Sequence, residues 1–98
     1  ICKGNILTTN IEIGNFNHIN LSCTIGHDVQ FHDYITVYPG VNISGNVIMN
    51  DCVEVGTGTK IIQGKKIVEE TVIGAGSVVV KDIVENGTYI GVPAKQMK

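Results

Sequence analysis

A chain of 98 residues, 43% of them hydrophobic and 16% charged, is sized for one domain and too apolar to be a disordered tail. Seven basic against nine acidic side chains leave a formal net charge of -2, which supplies no pull toward nucleic acid or an anionic membrane surface. No apolar run approaches the ~20 residues of a membrane span and no signal-peptide pattern opens the chain, whose start at Ile1 rather than Met fits a piece of a longer protein.

Fifteen Ile and thirteen Val stand against two Ala, two Leu and two Met. Branching at Cβ restricts χ1 and favours extended backbone, while the good helix formers are nearly missing. Twelve Gly and nine Asn supply residues that tolerate tight corners. The chain is therefore read as all-β, with many turns.

In chain order the strands announce themselves every six residues. Ile1, Leu7, Ile13, Ile19, Ile25, Phe31, Val37, Ile43, Met49, Val55, Ile61, Ile67, Ile73 and Val79 are all apolar, and the series stops at Glu85. At this composition the chance of such a run is on the order of 1 in 10^5. Four residues after an anchor comes a small or branched residue: Cys23, Val29, Ile35, Val41, Val47, Val53, Thr59, Thr71 and Ser77. Gly follows the anchor at Gly14, Gly26, Gly56 and Gly74. A period of six suits neither an alternating strand nor a 3.6-residue helix. It suits short strands separated by corners, three to a coil, with coils stacked about 4.8 Å apart. The expected fold is a parallel β-helix of roughly five coils, filled by layers of Ile and Val.

Two places depart from the pattern. Gln63-Gly64-Lys65-Lys66 is polar for a repeat and predicts a bulged or looped-out corner. After Val84, Asn86-Gly87 signals a turn, and Gly91-Val92-Pro93-Ala94-Lys95 leaves the repeat. The expected division is a β-helix over 1–90 and a short irregular tail over 91–98. Cys2, Cys23 and Cys52 form no C-x-x-C pair, which argues against a disulfide scaffold or structural zinc. All three read as thiols packed in or near the core, suited to a reducing cytoplasm.

The repeat carries one chemical inference. Adding one coil of eighteen residues to His27 reaches Gly45. With coils in register, the position over that imidazole has no side chain. Gly45 then either leaves room for a reacting group beside the imidazole, with its N–H as an oxyanion donor, or merely eases a turn.

The fourteen hexads, together with Ile73-Gly-Ala-Gly-Ser-Val-Val-Val-Lys-Asp82 and Gly91-Val-Pro-Ala-Lys95, resemble the hexapeptide-repeat acyltransferases from about Ile11 to Lys95. Ile25-Gly-His-Asp28, Tyr38-Pro-Gly40 and Ser44-Gly-Asn-Val47 are similar to one branch of that family. That branch acetylates sialic acid hydroxyls or the amine of an amino-sugar nucleotide. The resemblance implies a left-handed parallel β-helix, a homotrimer with active sites between subunits, and acetyl-coenzyme A as acyl donor without a metal. Members of the branch carry a small α/β domain ahead of the β-helix, and this sequence contains none.

By the same resemblance His27 is the general base, a role suited to an imidazole whose ordinary pKa is about 6.5. Asp28 orients it, provided a corner lets these adjacent side chains meet. Gly45 joins them as oxyanion donor. Thr36, Gly45, Thr57 and Ala75 match positions along the pantetheine groove, kept shallow by Gly56, Gly74 and Gly76. Lys81, Lys95 and Lys98 are candidates to meet coenzyme A phosphates, or plain surface lysines. The acceptor is then a sugar or nucleotide sugar, with no nucleic acid or membrane partner.

Two other readings compete. His27 and His32 are spaced like the metal-binding pair of γ-class carbonic anhydrases, and His32 stands where the sugar-acetyltransferase branch more often has Gly. A catalytic zinc needs a third imidazole, and His18 is a poor match by position. The other alternative is a catalytically silent trimerising β-helix.

Overall fold

The computed structural model describes residues 6, 7, 10–20 and 22–97, and its regular elements are all strands. In chain order they are β1 (Ile6–Leu7), β2 (Glu12–Ile13), β3 (His18–Ile19), β4 (Thr24–Ile25), β5 (Gln30–Phe31), β6 (Thr36–Val37), β7 (Asn42–Ile43) and β8 (Ile48–Met49). There follow β9 (Glu54–Val55), β10 (Lys60–Ile61), β11 (Lys66–Ile67), β12 (Thr71–Ile73), β13 (Val78–Val79), β14 (Gly87–Ile90) and β15 (Lys95–Gln96). Every third strand stacks on the same face. The first face runs β1-β4-β7-β10-β13, the second β2-β5-β8-β11, and the third β3-β6-β9-β12-β14-β15.

Pairing is parallel with a register of one coil: Thr24 on Asn42, Gln30 on Ile48, Thr36 on Glu54. Each coil bonds to the next through its backbone, as where Gly26 N–H donates to Ile43 O at 2.7 Å and Gln30 N–H to Val47 O at 2.9 Å. A parallel ladder of two-residue strands is stable here because both residue classes of the hexad point inward. Ile25, Ile43, Ile61 and Val79 form one buried column, and Val29, Val47, Ile35 and Val53 fill the layers between. Thr59, Thr71 and Ser77 are buried too, and their hydroxyls donate to the carbonyls of Gly74, Val68 and Gly74. Such bonds remove the desolvation cost of a buried hydroxyl. Five strands on the first face and four on the second make the described prism between four and five coils tall.

Each described corner as far as Gly76 turns through one residue in the left-handed region. Asp28, Tyr34, Asn46 and Cys52 have φ of 57°, 60°, 60° and 60°. Gly64 does the same at φ 77°, so Gln63-Gly64 is an ordinary corner with no bulge. β11 keeps its register on β8 and Lys65 is half-buried, so the expected loop-out is absent. Polarity there marks a corner facing solvent. Cys52 corrects a second expectation: it occupies one of these corner positions and is exposed, whereas Cys23 is in the core. Cys2 lies outside the described residues.

The repeat slips at its end. Ile83, not residue 85, is buried and bridges in parallel to Ile67, so the last coil is two residues short. The Asp82 carboxylate caps the shortcut by accepting the Lys66 N–H at 2.9 Å. β14 then pairs with β12, Thr71 facing Gly87, and the tail folds back as β15, antiparallel to β14. The tail thus carries one regular strand.

Candidate active site

His27 and Asp28 form the corner between β4 and β5. Because Asp28 takes φ 57°, the chain turns there and the two adjacent side chains meet on one side. Asp28 Oδ2 lies 3.0 Å from His27 Nδ1, with the side chains 48% and 53% exposed. An ionised carboxylate only accepts, so Nδ1 carries the proton and donates it. In that tautomer Nε2 is the nitrogen left to accept.

The arithmetic of one coil is met in space. A Cβ placed on Gly45 would fall 2.7 Å from His27 Nε2, 2.9 Å from Cε1 and 3.0 Å from Cδ2. The bare backbone of Gly45 is thus the seat of the imidazole itself, a refinement of the expected space for a reacting group. Asn46 N–H donates to the His27 carbonyl at 2.8 Å and Gly64 N–H to the Gly45 carbonyl at 2.9 Å, tying three coils together at this edge. Gly45 is buried, yet its own N–H has no partner among the described residues. Gly26 is packed against that amide, since a Cβ there would come within 2.6 Å of Gly45 N. The role of Gly26 was hidden in its sequence class, the glycine after an anchor. What marks it is the one-coil neighbourhood of Gly45.

Gly45 apart, the positions matched to the pantetheine groove are elsewhere. Thr36 is half-buried on β6 of the third face. Thr57 and Ala75 stack one above the other at the corner between third and first faces, where Gly76 N–H donates to Thr57 O at 2.8 Å. His27 and Gly45 lie at the corner between first and second faces. One protomer therefore places the imidazole and the Thr57–Ala75 edge on opposite borders of the first face. Of the glycines expected to keep a groove shallow, Gly76 is open, with nothing within 4 Å of a Cβ. Gly56 and Gly74 are packing positions instead: a Cβ would meet Ala75 N at 2.6 Å and Ile90 Cγ1 at 3.0 Å respectively. Lys81 and Lys95 are exposed, and Lys98 lies outside the described residues.

His18 sits on β3 of the third face, and His32 at the far end of β5, where its carbonyl accepts from Asn17 Nδ2 at 2.8 Å. Among the described residues no three His, Cys, Asp or Glu side chains gather as a metal-holding group. One protomer does not bring the three imidazoles together.

Comparison with known proteins follows the same line. The chain is 39% identical over 70 residues to GDP-perosamine N-acetyltransferase of Escherichia coli O157:H7, covering 71% of this chain and 31% of that protein. It is 30% identical over 84 residues to a serine acetyltransferase of Bacillus pumilus, covering 76% of this chain and 38% of that one. Among solved structures, a histidine-to-asparagine mutant of perosamine N-acetyltransferase from Caulobacter crescentus, in complex with CoA and GDP-perosamine, superposes with a TM-score of 0.75. It shares 26% identity and covers 97% of this chain and 54% of that one. No protein-family model matches. The chain spans well under half the length of these two curated relatives.

Proposed function

We propose, for a chain that belongs to the hexapeptide-repeat acetyltransferase family and has its left-handed parallel β-helix, that it moves an acetyl group from acetyl-coenzyme A to a hydroxyl or amine of a sugar. The acceptor class is sialic acid or an amino-sugar nucleotide. The observation that carries this reading is the corner itself: an imidazole oriented by Asp28 through Nδ1, its Nε2 seated over a glycine whose buried N–H has no partner among the described residues.

The residues divide the work as follows. His27 Nε2 takes the proton of the acceptor as its oxygen or nitrogen attacks the thioester carbonyl. The Gly45 N–H donates to the negative charge that gathers on the thioester oxygen. When the carbon–sulfur bond breaks, the imidazolium returns its proton to the departing thiolate. Asp28 stabilises the imidazolium between those two steps. Cys23 takes no part, being buried with its thiol donating to the Tyr38 carbonyl at 3.3 Å. Since Thr36, Thr57 and Ala75 do not reach His27 within one protomer, a homotrimer that sets the Thr57–Ala75 edge of one copy against the His27 corner of its neighbour would complete the donor groove.

The test is a coenzyme A release assay on wild type and His27→Ala, with the oligomeric state followed by light scattering. The variant should lose about 10²–10⁴-fold in kcat and keep its assembly. Normal turnover in the variant would remove His27 as base. Running sialic acids, amino-sugar nucleotides and serine in parallel identifies the acceptor.

A further inference from the structure

A groove of about 450 Å³ opens directly against Asp28, lined by Asn10, Ile11, Glu12, Asp28 and Gln30. Asn10 and Asp28 hold the same corner position one coil apart, both at φ 57°, and Glu12 and Gln30 are register partners on β2 and β5. Two stacked pairs of polar side chains thus frame a patch that spans the imidazole's own coil and the coil below it. Gly45 lies on the coil above it.

The polar side chains of this patch differ from those at the neighbouring corner. There Asp33 Oδ1 accepts Asn15 N–H at 2.7 Å, Asp51 Oδ1 accepts Asp33 N–H at 2.9 Å, and Asn17 Oδ1 accepts Ile35 N–H at 2.7 Å. Those groups are tied into the coil-to-coil ladder. By contrast, the side chains of Asn10, Glu12 and Gln30 hold no hydrogen bond or ion pair among the described residues, and Asp28 contacts only His27. The ladder does not need them. Among the described residues the lining contains two carboxylates and no cation. Such a surface accepts hydrogen bonds from O–H and N–H donors and raises the cost of placing a carboxylate or phosphate there.

We propose that this groove is the acceptor's ring subsite, taking a neutral or cationic ring rich in hydroxyl and amine donors and turning away a ring that carries a carboxylate. The inference rests on the acetyltransferase reading and narrows it. The donor lies above the imidazole, the acceptor ring below, and any phosphates of a nucleotide acceptor outside the groove. An amino sugar fits; a sialic acid does not.

The experiment uses Glu12→Gln, Gln30→Ala and Glu12→Lys in the full chain, with glucosamine and N-acetylneuraminic acid as probes. Circular dichroism confirms that these exposed positions leave the fold intact. KM for glucosamine should rise about tenfold in Glu12→Gln and Gln30→Ala with kcat little changed, as for loss of a hydrogen bond to a charged or polar group. Glu12→Lys should shift preference toward the carboxylated probe. Unchanged KM values for both probes, alongside loss of turnover in His27→Ala, would overturn the groove and spare the base assignment. A wild-type preference for N-acetylneuraminic acid would overturn it as well. Should no acceptor turn over, backbone amide shifts at residues 10–12 and 30 on titration with glucosamine decide the matter. Shifts there support the groove while the transfer reading fails; their absence overturns the groove.

Discussion

Gly45→Ala isolates the seat of the imidazole. The substitution adds one methyl, and Gly45 is not in the left-handed region, so alanine fits its backbone. That methyl would stand 2.7 Å from His27 Nε2. With ordinary non-bonded separations near 3.5 Å, the ring must withdraw by roughly 0.8 Å. His27 is 53% exposed and free to swing outward, so the fold loses little, and the more restricted unfolded chain offsets part of the cost by about 0.4–1 kcal/mol. Catalysis has no such outlet. Displacement on the order of 1 Å at a reacting group costs about 10²-fold, and the swing also breaks the 3.0 Å contact with Asp28. The expected result is kcat/KM down about 10²-fold with Tm moved by no more than a few degrees. Gly26→Ala is the contrast, because its methyl would meet backbone, Gly45 N at 2.6 Å and the Ser44 carbonyl carbon at 2.8 Å. Backbone cannot swing aside, so about 1–3 kcal/mol of stability should be lost, or about 4–8 °C in Tm per kcal/mol at this size. Thermal melts and steady-state kinetics on both variants check the pair. Wild-type turnover in Gly45→Ala, or a larger fall in Tm there than in Gly26→Ala, would refute the reasoning.

Two other expectations concern the coil ends and the donor edge. Ile83→Ala should destabilise by about 2–5 kcal/mol as a buried truncation, whereas Glu85→Ala, in phase by period but exposed, should stay within about 0.5 kcal/mol; denaturant melts distinguish them. Ala75→Trp fills the exposed corner between the third and first faces and should raise KM for acetyl-coenzyme A on the order of tenfold or more by clash. An unchanged KM would detach that edge from the donor.

The six-residue period was legible because every coil imposes the same demands on its inward positions, so an apolar anchor recurs without exception through Val79. The slip to Ile83 was not, since it depends on a shortcut that Asp82 caps across the coil. Cys52 misled by residue type. Its position, one coil beyond Tyr34 and two beyond Phe16, both at positive φ, already places it at a solvent corner. The His27–Asp28–Gly45 grouping could be reached by counting, because 27 and 45 differ by one coil. The same count separates His27 from Thr57, thirty residues on and therefore at another edge. Asn10, Glu12 and Gln30 gave no signal of their own, since polar residues on outward positions are the rule in such a repeat.

The fold-back of β15 onto β14 has a consequence for how the molecule can change length. A stack of parallel coils is open at each end, and an uncovered rim is a template for joining another chain. Here the final rung of the third face meets a strand running the other way, on which a further parallel turn of the spiral could not be wound. Whole eighteen-residue storeys could be inserted or deleted beneath Val79 without disturbing that roof, but not added above it.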